Sequence, residues 1–558
     1  EEVCQYQADH SDAHTIVIEG EKNLIKYKNI LEKEINGGLP KLKVVVTYNL
    51  HPKKLEKHKE VFNNKNVTLI SYKDFLKASQ DDQDELDKKL KVRIKEQKPG
   101  SCIKLIYTSG TTGLPKAVMI SHDNFVWTIK MFYKHSGNII NYSDKMLSYL
   151  PLSHIAAQVL DIGLPLIYGV KVSFARPDAF KGSLLKSMTD VRPTLFFGVP
   201  RVWEKIANKI KVAGQNNGFI KSYIASWAKY IGYSYSLERQ DLADNGFPNF
   251  EIAETPYGYM CSKLLVFNKV KDLLGLDRCK LCLTGAAPVS KETLDLFSSL
   301  DLPIMEVYGQ SECTGPSCST TPYVGWKIGS VGPAIPGTKM RINPENKQIE
   351  YIGRHIFMGY LKNKEKSEES FTEDGWLASG DQGQLDEDNF LRITGRIKEL
   401  IIGAGGENIA PILIEKEMKK QMPWLSNCVV FGERKPYLGM FLSLMVKMNL
   451  ETGEPTDELE DLPKNFLKSI GSNAETYSEA KKCPILNQQV KNLMQVANSN
   501  AISRAQTVKF YLWLPEDLSV PGGTLTSTFK LKRNVLYKKY AEEMEQGYKK
   551  QSEMFKKK

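Results

Sequence analysis

Residues 107–124 read YTSGTTGLPKAVMISHDN. Small hydroxyl residues and glycines crowd between two apolar runs, Ile103, Leu105 and Ile106 before them and Val118, Met119 and Ile120 after. The stretch is too polar for core and too rich in Gly, Thr and Ser for an ordinary short turn. A polyphosphate is the ligand such a loop suits. Gly110 and Gly113 let the backbone come close, the hydroxyls of Thr108, Ser109, Thr111 and Thr112 donate to phosphate oxygens, and Lys116 adds charge. It is not a Walker loop, because Leu114-Pro115 separate the second glycine from the lysine.

At 558 residues, two or more cores are expected. With 41% hydrophobic and 25% charged residues the composition is that of a globular protein. The longest apolar run, 159–174, is interrupted by Asp161 and Lys171, so a membrane span is not expected. The net charge of +11 fits a solvated lysine-rich surface, or attraction to anionic ligands and acidic membranes. No interleaving of aromatic and basic residues argues for nucleic acid. The nine cysteines include Cys279 and Cys282, a CxxC beside a strand-like run with no second pair. That reads as structural, in a reducing compartment. The sequence starts at Glu1, so a leading segment is expected to be missing and organellar targeting stays open.

The first hundred residues alternate short apolar runs (15–18, 42–47, 67–70) with charged helical segments, an α/β rhythm. Further strands are expected at 194–199, 281–284 and 304–308, and two more, 390–394 and 399–402, joined by 395–398. Positions 219, 220, 223, 224, 227, 230 and 231 have helical spacing, predicting a helix that buries Trp227 on its apolar face. Pro411 opens another helix. The charge-rich 451–482 reads as an insertion, and 486–501 as a helix.

Four more segments complete a pattern: Tyr308-Gly309-Gln-Ser-Glu312, Gly380-Asp381, Gly395-Arg396-Ile-Lys398 and Thr524-Leu-Thr-Ser-Thr-Phe-Lys530. With the opening loop they resemble, in order and spacing, the acyl-adenylate-forming superfamily of acyl-CoA synthetases, luciferases and peptide-synthetase adenylation domains. Gly198-Val-Pro-Arg-Val-Trp-Glu-Lys205 resembles long-chain acyl-CoA synthetases. Gly353-Arg-His-Ile-Phe-Met-Gly-Tyr360 and Gly403-Ala-Gly-Gly-Glu-Asn408 are most similar to their bubblegum-type branch. The resemblance implies a large N-terminal α/β domain over 1–395 lacking its first segment, a hinge at 396–399, and a smaller mobile α+β domain over 400–558.

It also implies the roles. Tyr308 stacks on adenine and Gly285 (of Gly-Ala-Ala-Pro288) packs along it. Asp381 takes the ribose hydroxyls, Arg396 holds the nucleotide, and Glu312 reaches Mg2+. Thr108 belongs with Glu312 and Lys530 to the catalytic set, and a cation at Lys530 would stabilise charge gathering at the α-phosphate. His154, in Leu-Pro-Leu-Ser-His, lines the acyl pocket, Lys398 is the pivot, and Gly405 and Gly406 flank a channel for coenzyme A. His122, His135 and His355 read as structural.

The implied activity is the joining of a long-chain fatty acid to coenzyme A at the expense of ATP, through acyl-AMP. The implied location is cytoplasmic, with peripheral attachment to an intracellular membrane compatible, as is an oligomer. Two alternatives stand beside it: an acyl-AMP ligase that does not use coenzyme A, and a degenerate structural subunit of a larger assembly. The second is motivated by departures from the family pattern. Ala117 replaces a frequent glycine after the loop lysine, Ala378 a frequent histidine, Gln382 a frequent apolar residue and Ser527 a frequent proline, and the 348–351 strand lacks a usual glycine. Ala117 would cost roughly 1–2 kcal/mol at positive φ and nothing at negative φ.

Overall fold

The computed structural model describes residues 1–34, 37–78, 83–108, 114–215, 218–244, 254–404, 407–526 and 529–556. The chain divides into two compact units, 1–123 with 358–369, and 124–357 with 370–558.

In the first unit the alternating pattern folds as read. Strands Thr15–Glu19, Val44–Tyr48 and Thr68–Ser71 pair in parallel, with helices Gly20–Lys33 and Pro52–Asn63 as the crossovers. Parallel strands need such helices because their ends lie at opposite edges of the sheet. Leu24, Ile30, Val45, Phe62 and Leu69 fill the core between them. The apolar runs around the opening loop become an antiparallel pair, Cys102–Thr108 against Lys116–Ser121. The charged 81–98 stretch is an exposed helix, Gln83–Glu96.

The second unit is built on a six-stranded sheet. In spatial order its strands are Gly315–Ser319, Ile304–Gln310, Leu281–Gly285, Leu195–Gly198, Lys145–Ser148 and Lys171–Phe174. All neighbours are parallel except the first pair. A four-stranded antiparallel sheet, Lys339–Ile342, Gln348–Ile352, Leu377–Leu385 and Leu391–Arg396, follows in the chain. The C-terminal portion has a three-stranded sheet of Leu425–Phe431, Leu438–Leu444 and Val508–Trp513, with its own core around Met418, Trp424, Met440 and Leu486. Helix Pro411–Gln421 begins at its proline as read, and the 451–482 segment is ordered as a short strand and two helices, Asp461–Ser469 and Tyr477–Lys482. No helix among the described residues is long and apolar enough to cross a membrane.

Two expectations are corrected. Two strands stand near 390–394 and 399–402, but their bounds shift: the first, Leu391–Arg396, runs through Arg396, Ile397–Glu399 is a 3-10 turn, and the second is only Ile401–Ile402. The helix at 219 exists, as Phe219–Asp244, but its apolar stripe is covered only in part: Ile224, Trp227 and Ile231 are half-buried, with Trp227 packed against Gly258. Phe219, Ile220, Tyr223 and Tyr230 are 86%, 73%, 70% and 71% exposed, whereas Ala228 and Ser236 are buried. The reason is close packing on helix Lys291–Ser299: a Cβ on Gly232 would come within 2.3 Å of the Ser299 carbonyl oxygen. Only small residues fit that contact, so Phe219, Ile220, Tyr223 and Tyr230 face outward.

Candidate functional site

The opening loop is described at its two ends. Thr108 and Lys116 face each other as the last rungs of the antiparallel pair, the Thr108 hydroxyl donating to the Lys116 carbonyl at 3.4 Å. The Lys116 ammonium lies 4.5 Å from the centre of the Tyr360 ring, a cation–π contact. Ser109, Gly110, Thr111, Thr112 and Gly113 lie outside the described residues, as do Gly405, Gly406 and Ser527. Ala117 is buried in the strand opposite Tyr107 and is not among the residues at positive φ. The strain it would carry there is absent.

In the second unit the strand Ile304–Gln310 delivers Tyr308, and a bulge between Tyr308 and Gly309 reshapes its pairing with Gly315–Ser319. Glycine is needed at 309 because a Cβ would sit 1.7 Å from the Gly315 carbonyl oxygen. Gly285, ending the neighbouring strand, is held to glycine by the Val307 carbonyl oxygen at 2.6 Å. The next residue, Ala286, is in the left-handed region at φ 72. Backbone strain of that kind is found at binding loops, and residue-by-residue reading of the motif does not reveal it.

Tyr308 and Asp381 meet directly. The phenol donates to Asp381 Oδ2 at 2.6 Å, and Arg396 Nε donates to Oδ1 at 2.8 Å. The antiparallel register sets Asp381 opposite Arg396, so the pair follows from the sheet. Ser379 supports the turn, its hydroxyl accepting from the Asp381 amide at 3.1 Å. Burial, then the Asp381 charge, pushes the Tyr308 phenol far above its ordinary range, while Asp381 holds Arg396 more firmly charged. An ionised carboxylate has about four lone-pair sites, so two remain on Asp381 for further donors such as a pair of vicinal hydroxyls.

Lys530 feels the charges of the same groups. Burial lowers its pKa, the neighbouring Arg396 lowers it further, and Asp381, Glu312 and Glu399 oppose them. Its loop closes by the Thr526 amide donating to the Lys530 carbonyl at 2.8 Å and the Lys530 amide donating to the Thr526 hydroxyl at 3.0 Å. Phe529 takes positive φ, and its ring meets Phe180 at 5.3 Å. Glu312 sits in the turn after the Tyr308 strand, its carbonyl accepting from the Phe357 amide. His154 caps a short helix through Nδ1; burial, with Lys530 nearby, holds its pKa down at about 4, so it is neutral at pH 7. His355 is buried and stacked on Trp127. Lys398 lies exposed in the 3-10 turn after Arg396.

Sequence reading missed the residues that hold the Lys530 arm. Arg533 passes as one of several surface cations, yet it is nearly buried and pairs with both oxygens of Glu415 at 2.7 and 2.6 Å. It also donates to Glu399 at 3.1 Å, and Glu399 lies 3.5 Å from Arg396. Nothing local distinguishes Arg533 from Lys532, because the partner is 118 residues away.

Residues 1–361 match the AMP-binding enzyme family, and 398–513 match the AMP-binding enzyme C-terminal domain. The long-chain-fatty-acid–CoA ligase ACSBG2 of Xenopus laevis is 41% identical over 98% of this chain and 71% of its own length. The human ACSBG2 is 37% identical over 98% of this chain and 79% of its own. Among solved structures, the adenylation domain of a carboxylate reductase from Mycobacterium chelonae aligns with a TM-score of 0.63 at 18% identity, over 98% of this chain and 75% of that one. An anthranilate CoA ligase bound to anthranoyl-AMP gives 0.60 at 16%, over 96% and 80%. At these identities the structural likenesses speak to the fold alone.

Proposed function

The chain belongs to the AMP-binding enzyme family, and on that premise we propose that it is a long-chain fatty acid–CoA ligase of the bubblegum type. ATP and a fatty acid give acyl-AMP and pyrophosphate; coenzyme A then takes the acyl group and AMP leaves. A carboxylate is a poor electrophile, and adenylation supplies the leaving group a thiol can displace. The observation that carries the reading is the Asp381 carboxylate held between the Tyr308 phenol and Arg396, with the Lys530 ammonium feeling the charges of Asp381, Arg396 and Glu312, beside near whole-chain similarity to ligases of that name.

In this reading Asp381 takes the ribose hydroxyls with its remaining acceptor sites, and Tyr308, tied to Asp381, offers its ring to the base. Lys530 brings positive charge to the reacting oxygens of carboxylate and α-phosphate, where a fixed cation lowers the barrier most. Neutral His154 faces the acyl side without adding a second charge. Thr108, residues 109–113 and Lys116 are assigned the outer phosphates. Magnesium suits Glu312, since that ion is commonly held by one or two carboxylates together with substrate phosphates. When bound it neutralises phosphate charge. The pivot at Lys398, the separation of 1–395 from 400–558, and the passage of coenzyme A by Gly405 and Gly406 belong to the same proposal.

Cytoplasmic location with peripheral attachment to a membrane completes it, since fatty acids partition into bilayers. The uncovered stripe of Phe219, Tyr223 and Tyr230, with Lys221 and Lys229 on the same helix, supports an anionic bilayer as the contact. Sedimentation with anionic vesicles, retained in full by Tyr223→Ser/Tyr230→Ser, would count against it.

The test of the activity is product analysis with MgATP and a long-chain fatty acid, with and without coenzyme A, beside Lys530→Ala. Acyl-CoA that requires coenzyme A, with adenylate formation lost in the variant, is the expected result. Acyl-AMP indifferent to coenzyme A, or no adenylate from folded protein, would overturn it.

A further inference from the structure

The helix Pro200–Gln215 has two opposite faces. One carries Val202, Trp203, Ile206 and Ala207, all buried. Trp203 is locked there, its indole N–H donating to the Leu283 carbonyl at 3.1 Å and its ring edge-on to Phe196 and Phe297. The other face carries Arg201, Glu204, Lys205 and Asn208. Their spacing of i, i+3, i+4 and i+7 makes one continuous stripe, and every member is polar.

Among the described residues, the long-range hydrogen bonds and ion pairs of that stripe go to the C-terminal portion. Arg201 donates to the Ser426 carbonyl at 3.2 Å and to the Ser426 hydroxyl at 2.5 Å, with Asp517 at 4.0 Å. Glu204 lies 3.7 Å from Lys419, and the Asn208 amide is 3.4 Å from the Met445 sulfur. Lys205 feels the opposite charges of Glu460 and Asp517. The receiving surface is rigid. Asp517 is buried and accepts from Ser426 at 2.6 Å, Asn427 at 2.7 Å, Ser443 at 2.6 Å and the Leu518 amide at 2.8 Å, fastening two strands of the small sheet around the point where Arg201 arrives.

A permanent contact between two cores would be apolar, as the Trp203 face is. A face made of hydrogen bonds and ion pairs, each worth little once water can replace it, holds a geometry yet lets it go. The same C-terminal portion carries Lys530, and in this arrangement its ammonium feels the charges of Asp381 and Glu312.

We propose that the polar stripe of the 200–215 helix is the seat on which residues 400–558 dock for acyl-adenylate formation, with Arg201 as its latch. Arg201 is a positioning residue: it touches no reacting atom, and it sets how much of the protein has Lys530 in place. The inference rests on the ligase reading for its chemistry and on the contacts alone for the dock. It implies that releasing the seat slows the first half-reaction and spares the second, which needs Lys530 elsewhere.

The experiment separates the two. Fatty-acid-dependent exchange of pyrophosphate into ATP reports adenylation, and supplied acyl-AMP with coenzyme A reports thioester formation. Arg201→Ala is expected to lower the exchange rate about tenfold, the scale of one charged hydrogen-bond pair, and to leave thioester formation unchanged or faster. Equal loss in both would show a merely structural role and overturn the proposal. A second readout does not depend on activity. Asn208→Cys/Met445→Cys, oxidised with glutathione disulfide and compared with each single variant, is expected to crosslink, to block acyl-CoA turnover, and to recover with dithiothreitol. Adding Arg201→Ala is expected to cut the crosslink yield severalfold. An unchanged yield, or undiminished acyl-CoA turnover in crosslinked protein, refutes the seat. Absence of any adenylate from the wild type would instead refute the ligase reading, with the crosslink yield still deciding the dock.

Discussion

Glu306→Gln should make this protein more stable, by an amount that grows as pH rises above 5. Glu306 shares a strand with Tyr308, and its Oε2 accepts from the Gly329 amide at 3.2 Å. Burial raises its carboxyl from 4.5 to about 7, outweighing the pull of Lys416, the Gly329 amide and Arg392 the other way. The folded carboxyl therefore holds its proton more tightly than the unfolded one. Its contribution is intact below the unfolded value near 4.5, is lost as pH rises toward 7, and changes no further above it. A gap of about 2.5 units at about 1.4 kcal/mol each amounts to about 3 kcal/mol. Glutamine keeps an acceptor for Gly329 and cannot ionise. Urea unfolding of both proteins at pH 5, 6, 7 and 8 should show nearly superposed midpoints at pH 5. The variant's advantage should grow by about 2 kcal/mol up to pH 8. A difference that is constant across the series would refute the reasoning, since a packing effect does not titrate.

Three further outcomes follow from contacts already described. Gly309→Ala drives a methyl into the Gly315 carbonyl oxygen; a loss of about 3 kcal/mol or failure to fold is expected in thermal unfolding, and wild-type stability would contradict the bulge geometry. Ala117→Gly removes a buried methyl from a strand, so about 1 kcal/mol of stability should go with no gain in adenylation; a rise in activity would mean that Ala117 does impair the loop. Tyr308→Phe deletes the 2.6 Å bond to Asp381, and the KM for ATP should rise about tenfold, on the scale of one hydrogen bond to a charged group, while an unchanged KM would separate Asp381 from nucleotide binding.

The sequence was legible where chemistry and periodicity coincide. Strands at 15, 44 and 68 announce themselves by β-branched runs between charged helices, and the helix at Pro411 by its first residue. The family resemblance, carried by the order of the motifs, let Tyr308, Asp381, Arg396 and Lys530 be named, and the fold joins the first three by hydrogen bonds while Lys530 feels the charges of Asp381 and Arg396. Periodicity succeeded only in part at 219–231: it identified the helix, but Ile224, Trp227 and Ile231 are half-buried while Phe219, Ile220, Tyr223 and Tyr230 stay exposed. Burial there is decided by how closely a neighbouring helix approaches, and Gly232 against the Ser299 carbonyl oxygen is a tertiary fact. Arg533 was invisible for a related reason: a cation is a surface residue until a carboxylate far away in sequence claims it. Ala117 shows the converse, since only the backbone angle decides whether a departure from a family pattern costs anything.

One feature of the site reaches further than the nucleotide. From the neutral Tyr308 runs a row of alternating charge, Asp381, Arg396, Glu399, Arg533 and Glu415, each touching the next within 3.5 Å. A ligand that draws on Asp381 or Arg396 alters the field at Glu399, and through it the hold on Arg533, three residues past Lys530. Occupancy of the site and seating of the Lys530 arm are then two equilibria with a shared term. Linkage requires each to favour or oppose the other by the same factor. In the proposed reaction the arm is thus a sensor of the ligand as well as a tool that acts on it.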